Sequence, residues 1–298
     1  MSERPADRAT EAFLAHRNLL FTVAYEILGS AADAEDVLQE TWLRWVEVEA
    51  DGVRDERAYL VRITTRQALN RLRTVRRRRE SYVGQWLPEP VLTTPDVAEN
   101  VELAERMSMA LLLVLETLAP TERVVFVLRE VFEVGYEEIA EAVGKSPAAV
   151  RQIAHRARAH VAARRPRTTV SAREAEAALA TFQRALQSWD LPALFEVLAP
   201  DVVMIGDGGG LVRTVPKPVV GAEKVVRLVA GAVARRGVRL SFRRVVVNGG
   251  PGFVVAVDGV FDGVMAVHLD NGLVAGLYYV RNPEKLTHMG EEITPALR

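Results

Sequence analysis

Residues 134–165 constrain the fold of this chain more than any other stretch, because they carry two helical patterns joined by a short turn. Apolar residues recur at helical spacing on one side of each pattern: Ile139, Ala140 and Val143 in the first, and Val150, Ile153, Ala154, Ala157 and Val161 in the second. Between them, Gly144 suits a left-handed helix end, Ser146 suits an N-cap, and Pro147 suits the first turn of a helix. The sequence therefore predicts two amphipathic helices joined by a tight turn.

The second predicted helix is basic and polar on the side that its apolar stripe leaves open. That side carries Arg151, Gln152, His155, Arg156 and Arg158. Arg and Gln make bidentate contacts to base edges in the major groove of DNA, while further Arg side chains hold phosphates. The two helices are therefore predicted to form a helix-turn-helix with a recognition helix. An ordinary helical hairpin with a solvated basic face is the alternative that this stretch alone leaves open.

Composition excludes several classes of chemistry. The chain has no cysteine, which excludes disulfides, thiol catalysis and thiolate metal sites, and its five histidines lack the spacing of a metal-ligand pair. We therefore expect no metal and no cofactor. The formal net charge of -1 averages over segments of opposite sign, so it does not exclude a nucleic-acid partner. The N-terminus lacks the apolar core of a signal peptide, and no apolar run is long enough to cross a bilayer, so we expect a cytoplasmic protein without membrane contact.

Two helices are predicted near the N-terminus, over residues 11–28 and from residue 30 onwards. The second mixes apolar residues, among them Trp42 and Trp45, with the acids Asp33, Glu35, Asp36 and Glu40. We expect both tryptophans in the core, since large aromatics on the apolar stripe of a helix usually pack there. Acids in a first helical turn complement the helix dipole, which explains the first three acids without a partner but not Glu40.

A third helix, beginning near Arg57, is strongly basic. Between residues 62 and 79 it has no acid and carries Arg62, Arg66, Arg71, Arg73 and Arg76 to Arg79. An ordinary solvated face mixes signs, so this helix is predicted to contact nucleic-acid phosphates with an affinity that falls steeply with salt. Its uncharged polar side chains are candidates for base contacts: Thr64, Thr65, Gln67 and Asn70. A plain solvated helix remains the alternative.

The order of these segments resembles the extracytoplasmic-function RNA polymerase sigma factors. The resemblance rests on DAEDVLQETW at residues 33–42, on YLVRITTRQALNRLR at residues 59–73, and on residues 115–158 around the helix-turn-helix. It implies that the first stretch belongs to region 2 and docks on the β′ clamp of core RNA polymerase. The Arg-rich helix would read and open the −10 element of promoter DNA, and region 4 would read the −35 element and contact the β flap.

The resemblance also implies roles for individual residues. The polymerase contacts would be Asp33, Asp36, Gln39 and Glu40. The −10 contacts would be Arg62, Arg66, Asn70 and Arg73, and the −35 contacts would be Arg151, Gln152, His155 and Arg156. Many family members have Asn where this chain has Arg66, so the base preference at the −10 element does not transfer.

Residues 82–100 are predicted to link the two helical domains, because three prolines between residues 88 and 95 exclude a regular helix. The linker places Trp86 next to Leu87, and an exposed linker has little use for such a pair, so we expect it to dock on another part of the chain. Beyond residue 171, helical patterns give way to strand patterns, with Asp270-Asn271-Gly272 as a hairpin turn. This order predicts an α+β domain.

The α+β part resembles a SnoaL-like domain, a cone-shaped α+β barrel that a subgroup of the same sigma factors carries. Its marks here are a WLPEP linker, a DGGG loop and an NPEKL tail. They imply an interdomain regulatory set of Trp86, Leu87, Pro88, Asp207, Gly208, Gly209, Gly210, Asn282, Pro283 and Lys285. The loop would receive the linker, with Trp86 filling a pocket of the barrel, while a flexible β-turn is the alternative. Leu211 stands where the subgroup usually has Lys.

The predicted fold is multidomain, with two all-α domains followed by the α+β SnoaL-like barrel. The predicted boundaries are region 2 at residues 1–81, a linker at 82–100, region 4 at 101–165, a linker at 166–170, the SnoaL-like domain at 171–290 and a tail at 291–298. The predicted function is an alternative sigma factor, not an enzyme, whose activity its own C-terminal domain modulates. A small-molecule ligand in the barrel is a further expected partner.

Two other functions stay open from the sequence. A one-component, ligand-responsive helix-turn-helix regulator would leave residues 33–42 and the Arg-rich helix unexplained. A DNA-tethered isomerase or cyclase would hold an acid or a histidine in the barrel for proton transfer. The candidates are Asp201, Asp207, Asp258, Asp262, His268 and Asp270.

Overall fold

The computed structural model describes residues 5–48, 53–93, 108–164, 172–234, 239–287, 289 and 292–293. The chain divides into two compact units. Unit 1 comprises the residues up to 80 together with 114–164, and unit 2 comprises residues 81–113 together with 165–293. The predicted linker at 166–170, the predicted helix start near Asn100 and most of the predicted tail lie outside the described residues.

Unit 1 begins with three helices: α1 (Pro5–Leu28), α2 (Ala31–Trp45) and α3 (Glu56–Arg79). The break between α1 and α2 follows from Gly29, which has a φ of 67°, and from Ser30, whose hydroxyl accepts a hydrogen bond from the amide of Asp33 at 3.1 Å. Trp45 is fully buried and donates its indole N–H to the carbonyl of Ala9 at 2.8 Å. Its predicted place in the core is therefore confirmed, and Trp42, partly buried, packs on Phe13.

Four further helices follow in the chain. The first is α4 (Met109–Leu115), whose residues up to 113 belong to unit 2. The others are α5 (Pro120–Phe126), which continues as a π-helical turn (Val127–Val131), α6 (Tyr136–Val143) and α7 (Pro147–Ala162). The turn between α6 and α7 is the predicted one. Gly144 is left-handed, with a φ of 67°, and the hydroxyl of Ser146 accepts from the amide of Ala149. Val150, Ile153, Ala154, Ala157 and Val161 are buried along one side of α7. The helix-turn-helix prediction is confirmed.

Unit 2 contains the helices α8 (Ala172–Ser188), α9 (Leu191–Val197) and α10 (Ala222–Ala234). Its strands are β1 (Leu92–Thr93), β2 (Leu198–Asp207), β3 (Val219–Val220), β4 (Leu240–Val247), β5 (Gly250–Val257), β6 (Val260–Asp270), β7 (Leu273–Val280) and β8 (Glu292–Ile293). They form one open sheet in the order β3-β2-β7-β6-β5-β4-β1-β8. The predicted β6–β7 hairpin turns at Asn271 and Gly272, both with positive φ.

The two faces of this sheet have different partners, because side chains alternate along each strand. One face packs against the helices through Phe253, Val255, Met265, Val267 and Leu277. The opposite face carries Val264, Ala266, Tyr278 and Val280, which cluster with Leu87 and Leu92 of the linker and with Met109 and Ala110 of α4. The predicted α+β architecture is confirmed, with one addition: the linker supplies strand β1, which pairs with β4.

Candidate functional site

The exposed face of α2 is polar at helical spacing. Asp36, Gln39 and Glu40 are exposed, and Leu43, which is 61% exposed, extends the same face at the next turn. Asp33 is less accessible, because Arg71 of α3 donates to it at 2.7 Å and also to Asp36 at 2.5 Å. The acids of α2 therefore fix this helix to α3 as well as forming a surface.

The basic helix α3 presents two of its four predicted promoter residues to solvent and two to another helix of unit 1. Arg62 donates to the carboxylate of Glu141 in α6 at 2.8 Å, and Arg66 donates to the main-chain carbonyl of Glu141 at 2.7 Å. Asn70 and Arg73 are exposed. In this state, Glu141 of the helix-turn-helix accepts hydrogen bonds from two guanidinium groups of the basic surface.

Three of the polar residues of α3 that were predicted as base contacts are buried instead. Thr64 and Thr65 have no exposed surface, and Gln67 is 8% exposed. The hydroxyls of Thr64 and Thr41 lie 3.3 Å apart, and the amide of Gln67 donates to the carboxylate of Glu40 at 2.8 Å. The prediction was wrong for these three, because Thr64 and Gln67 lie on the side of α3 that packs on α2 and Thr65 is buried as well. Only Asn70 of that set faces solvent.

The recognition helix α7 exposes all four of its predicted DNA contacts on one side, opposite its buried stripe: Arg151, Gln152, His155 and Arg156. Arg151 is held loosely, 3.7 Å from the carboxylate of Glu137 and 5.8 Å from the ring centroid of Tyr136. Weak, exposed contacts of this kind leave the guanidinium available for another partner.

A buried carboxylate in unit 2 forms hydrogen bonds with the linker. Asp207, at the end of β2, has no exposed surface and accepts hydrogen bonds from the hydroxyl of Tyr82 at 2.6 Å and from the amide of Leu87 at 2.9 Å. The ammonium of Lys285 lies 2.7 Å from Asp207 and also donates to the carbonyl of Leu87 at 2.5 Å. Burial, followed by the bond to Asp207, raises the pKa of Tyr82 above its ordinary value, so this hydroxyl stays a donor. We call Tyr82, Leu87, Asp207 and Lys285 the linker clasp.

Within the clasp, the roles of Trp86 and Leu87 differ from the prediction. Leu87 is fully buried in the apolar cluster on the sheet, and Pro88 is buried beside it. Trp86 is only partly buried, with its ring centroid 4.2 Å from the ammonium of Lys285. Trp86 therefore covers a cation, and it is Leu87 that fills the apolar site.

The glycine loop after Asp207 is packed rather than open. A Cβ at Gly208 would lie 1.9 Å from the carbonyl of Val212, and one at Gly209 would lie 2.4 Å from the amide of Asn282. Gly209 and Gly210 also have positive φ, which other residues rarely adopt. Asn282 donates in turn to the hydroxyl of Tyr82 at 2.8 Å and precedes the single turn Pro283–Lys285. Linker, loop and tail thus meet at Asp207.

Comparison with known proteins identifies the family. The sequence profile of Sigma-70 region 2 matches residues 12–78, and that of Sigma-70, region 4 matches residues 108–161. The ECF RNA polymerase sigma factor SigJ of Mycobacterium tuberculosis is 38% identical over 288 residues, or 92% of each chain. This chain belongs to the extracytoplasmic-function (ECF) sigma factors.

Two further comparisons extend the similarity beyond regions 2 and 4 of this ECF sigma factor. The probable ECF RNA polymerase sigma factor SigI of Mycobacterium tuberculosis is 30% identical over 291 residues, or 96% of this chain and 98% of the relative. The crystal structure of SigJ from the same organism has a TM-score of 0.77 at 35% identity, and covers 93% of this chain and 98% of that chain. The similarity therefore includes the C-terminal sheet domain.

Membership of the family decides between the functions that the sequence left open. ECF sigma factors are transcription-initiation factors rather than enzymes, and they bind core RNA polymerase and promoter DNA. The region 2 match covers the acidic and Arg-rich helices, which a simple helix-turn-helix regulator would not explain. Among the helices that the structure describes, none is long and apolar enough to cross a membrane.

Sequence reasoning missed one buried ionic network in this ECF sigma factor. Arg123 of α5 is 1% exposed and donates twice to the carbonyl of Glu26, at 3.0 and 3.1 Å, and also to the carboxylate of Glu116. Arg79 of α3 pairs with the same carboxylate of Glu116. The side chain of Glu26 is fully buried, and this burial raises its pKa to about 8 against the opposing effect of Arg123. The available signal was Glu26, the single charged residue inside the apolar run at residues 19–28, and Arg123, which directly precedes the apolar residues 124–128.

Proposed function

We propose that this sigma factor contacts polymerase and promoter through three surfaces, and that its sheet domain controls their use through the linker clasp. The observation that carries the regulatory part is the buried carboxylate of Asp207, which holds two linker residues and one tail residue at once. A surface linker has no need of such a group, because burying a charge is costly unless every partner is in place.

The polymerase surface would be the exposed face of α2. Asp36, Gln39 and Glu40 would contact the β′ clamp, with Asp33 contributing through its position beside Arg71. Leu43 supports this assignment, because an exposed apolar side chain beside charged ones is typical of the centre of an interface. Region 4 would add a contact to the β flap.

The promoter surfaces would be α3 and α7. Arg62, Arg66, Asn70 and Arg73 would hold and open the −10 element, since strand separation needs cationic contacts along the backbone. Arg151, Gln152, His155 and Arg156 would read the −35 element from the major groove, a role that their common exposed side supports.

The two bonds from α3 to Glu141 would have to open before the −10 element binds. Arg62 and Glu141 are both partly exposed, so their ion pair contributes at most about 1 kcal/mol. Promoter phosphates can displace a contact of this strength, since each neutralised phosphate releases counterions. We infer that the free protein is in a closed state that polymerase and DNA together open.

The test is run-off transcription with purified core RNA polymerase and a promoter library. Full-length protein should produce start sites that core polymerase alone does not. Arg151→Ala should reduce initiation at promoters with an intact −35 element, while Arg184→Ala, at an exposed position of α8, is the matched control. Failure of the full-length chain to bind polymerase, or start sites that do not depend on it, would refute the proposal.

The sheet domain would also hold a small molecule. The support is a cavity of about 160 Å³ between its helices and the inner face of its sheet. Cavities of roughly this volume hold a molecule such as benzene. A ligand at this position would let a small molecule alter the linker clasp.

A further inference from the structure

The cavity of the sheet domain is apolar over most of its wall. Helices α8, α9 and α10 contribute Phe182, Leu194 and Val226, and the sheet contributes Phe242, Met265 and Leu277. An apolar site of this kind favours a ligand with little polar surface, because burying apolar area supplies the binding free energy. The wall alone would not distinguish one apolar molecule from another.

Three polar side chains form one corner of the same cavity: Asp262, Tyr279 and Arg281. Arg281 donates to both oxygens of Asp262, at 2.8 and 2.5 Å, and the hydroxyl of Tyr279 donates to the same carboxylate. The remaining guanidinium nitrogen of Arg281 donates to the carbonyl of Arg213 at 2.5 Å. Asp262 and Arg281 are each less than one fifth exposed.

The hydrogen bonds already made in this corner determine what it can accept. Each nitrogen of the Arg281 guanidinium makes one hydrogen bond, which uses three of its five N–H donors, and its charge is balanced by Asp262. A carboxylate has about four acceptor positions, of which Asp262 uses three, and the oxygen of Tyr279 can also accept. The corner therefore offers a free acceptor position on Asp262 beside an arginine whose charge is already neutralised. A ligand anion would meet an already neutralised arginine and would lose its own hydration.

We infer that the cavity binds a small, uncharged, mostly apolar molecule whose single hydroxyl donates a hydrogen bond to Asp262. The volume suits one ring or a chain of similar size. The inference gives a chemical class to the ligand site proposed above and rests on that proposal. It does not depend on the polymerase or promoter contacts.

The polar corner is continuous with the linker clasp. The amide of Arg281 donates to the carbonyl of Asp207 at 2.7 Å, and the next residue, Asn282, donates to the hydroxyl of Tyr82. Along β7, Tyr279 lies on the cavity side, while Tyr278 and Val280 lie on the side covered by the linker. A ligand that shifts Arg281 therefore acts on a segment that also holds the linker.

The test measures the affinity of the full-length protein for phenol, toluene and benzoate, by titration calorimetry or ligand-observed NMR at neutral pH. Phenol should bind about tenfold more tightly than toluene, the effect of one hydrogen bond to a charged acceptor. Benzoate should bind more weakly than either. Val229→Phe places bulk at the cavity wall and should weaken phenol and toluene at least tenfold, whereas Val260→Phe, at a site that is 70% exposed, should change neither.

Asp262→Asn separates the chemistry of the corner from the presence of the cavity. The variant removes the charge that balances Arg281, so the preference for phenol over toluene should shrink and benzoate should become the tightest of the three probes. No binding of any probe to the natural chain would overturn the ligand site itself. Equal affinity for phenol and toluene, or a preference for benzoate, would overturn the inferred class and leave the site standing. Since no polymerase is present, a failure of promoter recognition would not affect any of these results.

Discussion

Replacing the buried lysine of the linker clasp should strongly reduce the stability of the clasp. Lys285→Met keeps an unbranched side chain of similar length but removes the ammonium that lies 2.7 Å from Asp207 and 2.5 Å from the carbonyl of Leu87. Asp207 then remains as a buried carboxylate without its cation. Removing one partner of a buried pair costs about 3–5 kcal/mol, mainly because the other charge stays buried.

The structure places the expected cost at the lower end of that range. Asp207 keeps three donors after the substitution: the hydroxyl of Tyr82 at 2.6 Å, the amide of Leu87 at 2.9 Å and the amide of Gly209 at 3.0 Å. These bonds continue to stabilise the carboxylate, so we expect a loss of about 3 kcal/mol in the stability of the clasp. The substitution also removes the cation that lies over the rings of Trp86 and Tyr82.

Native-state hydrogen exchange measures this loss where it occurs. A loss of about 3 kcal/mol should speed exchange of the Leu87 amide more than a hundredfold, provided that it exchanges by local opening. Lys217→Met, at an exposed lysine of the same unit, is the control and should leave the rate unchanged. Asp207→Asn combined with Lys285→Met should cost less than the sum of the single changes, since the two groups interact directly. A Leu87 rate that matches the control, or strictly additive effects, would refute the role given to the pair.

Three further predictions concern unit 1. Because the pKa of Glu26 is about 8 when folded and ordinary when unfolded, the folded state binds its proton more tightly, so the free energy of unfolding should fall as pH rises from 5 to 8. Glu26→Gln should flatten that part of the stability profile in denaturant titrations, whereas Glu11→Gln, at an exposed position, should not. Arg151→Ala should weaken promoter binding by about 1–3 kcal/mol if it contacts a guanine, with unchanged affinity for the specific site arguing against the assignment. Glu141→Gln frees Arg62 and should raise the affinity for single-stranded −10 DNA up to about fivefold. The gain should disappear in high salt. If the variant and the natural chain bind with equal affinity at low salt, the closed state is contradicted.

Local sequence signals predicted those elements that are fixed by neighbouring residues. Gly144, Ser146 and Pro147 determine the turn of the helix-turn-helix through backbone conformation and capping, and these act over a few residues. The β6–β7 hairpin followed from Asn271 and Gly272 for the same reason. Both predictions needed no knowledge of the rest of the chain.

Contacts between distant residues were beyond the same reasoning. Nothing near Leu92 indicates that it pairs with Val247, and the short run of Leu92 and Thr93 is too brief for a strand pattern. Thr64 looks like a surface residue until Thr41 of α2 is placed beside it, because a short polar side chain can lie in a helix interface. The main-chain carbonyl of Glu26 accepts hydrogen bonds from Arg123, which is 97 residues away.

Residues on both sides of the central part of the linker pack on the sheet domain, and this packing supports the proposed regulatory role of the clasp. Leu87 and Leu92 enter the cluster on the sheet before residue 93, and Met109 and Ala110, the first residues of α4, enter the same cluster after residue 108. Helix α4 is the start of the segment that matches region 4. A change at Asp207 that loosens Leu87 removes packing from Met109 and Ala110 as well, since a shared apolar cluster loses contacts on every side of a gap. Substitutions in the clasp should therefore alter hydrogen exchange in α4 along with the linker, and exchange in α4 that stays unchanged in Lys285→Met would show that the two attachments act independently.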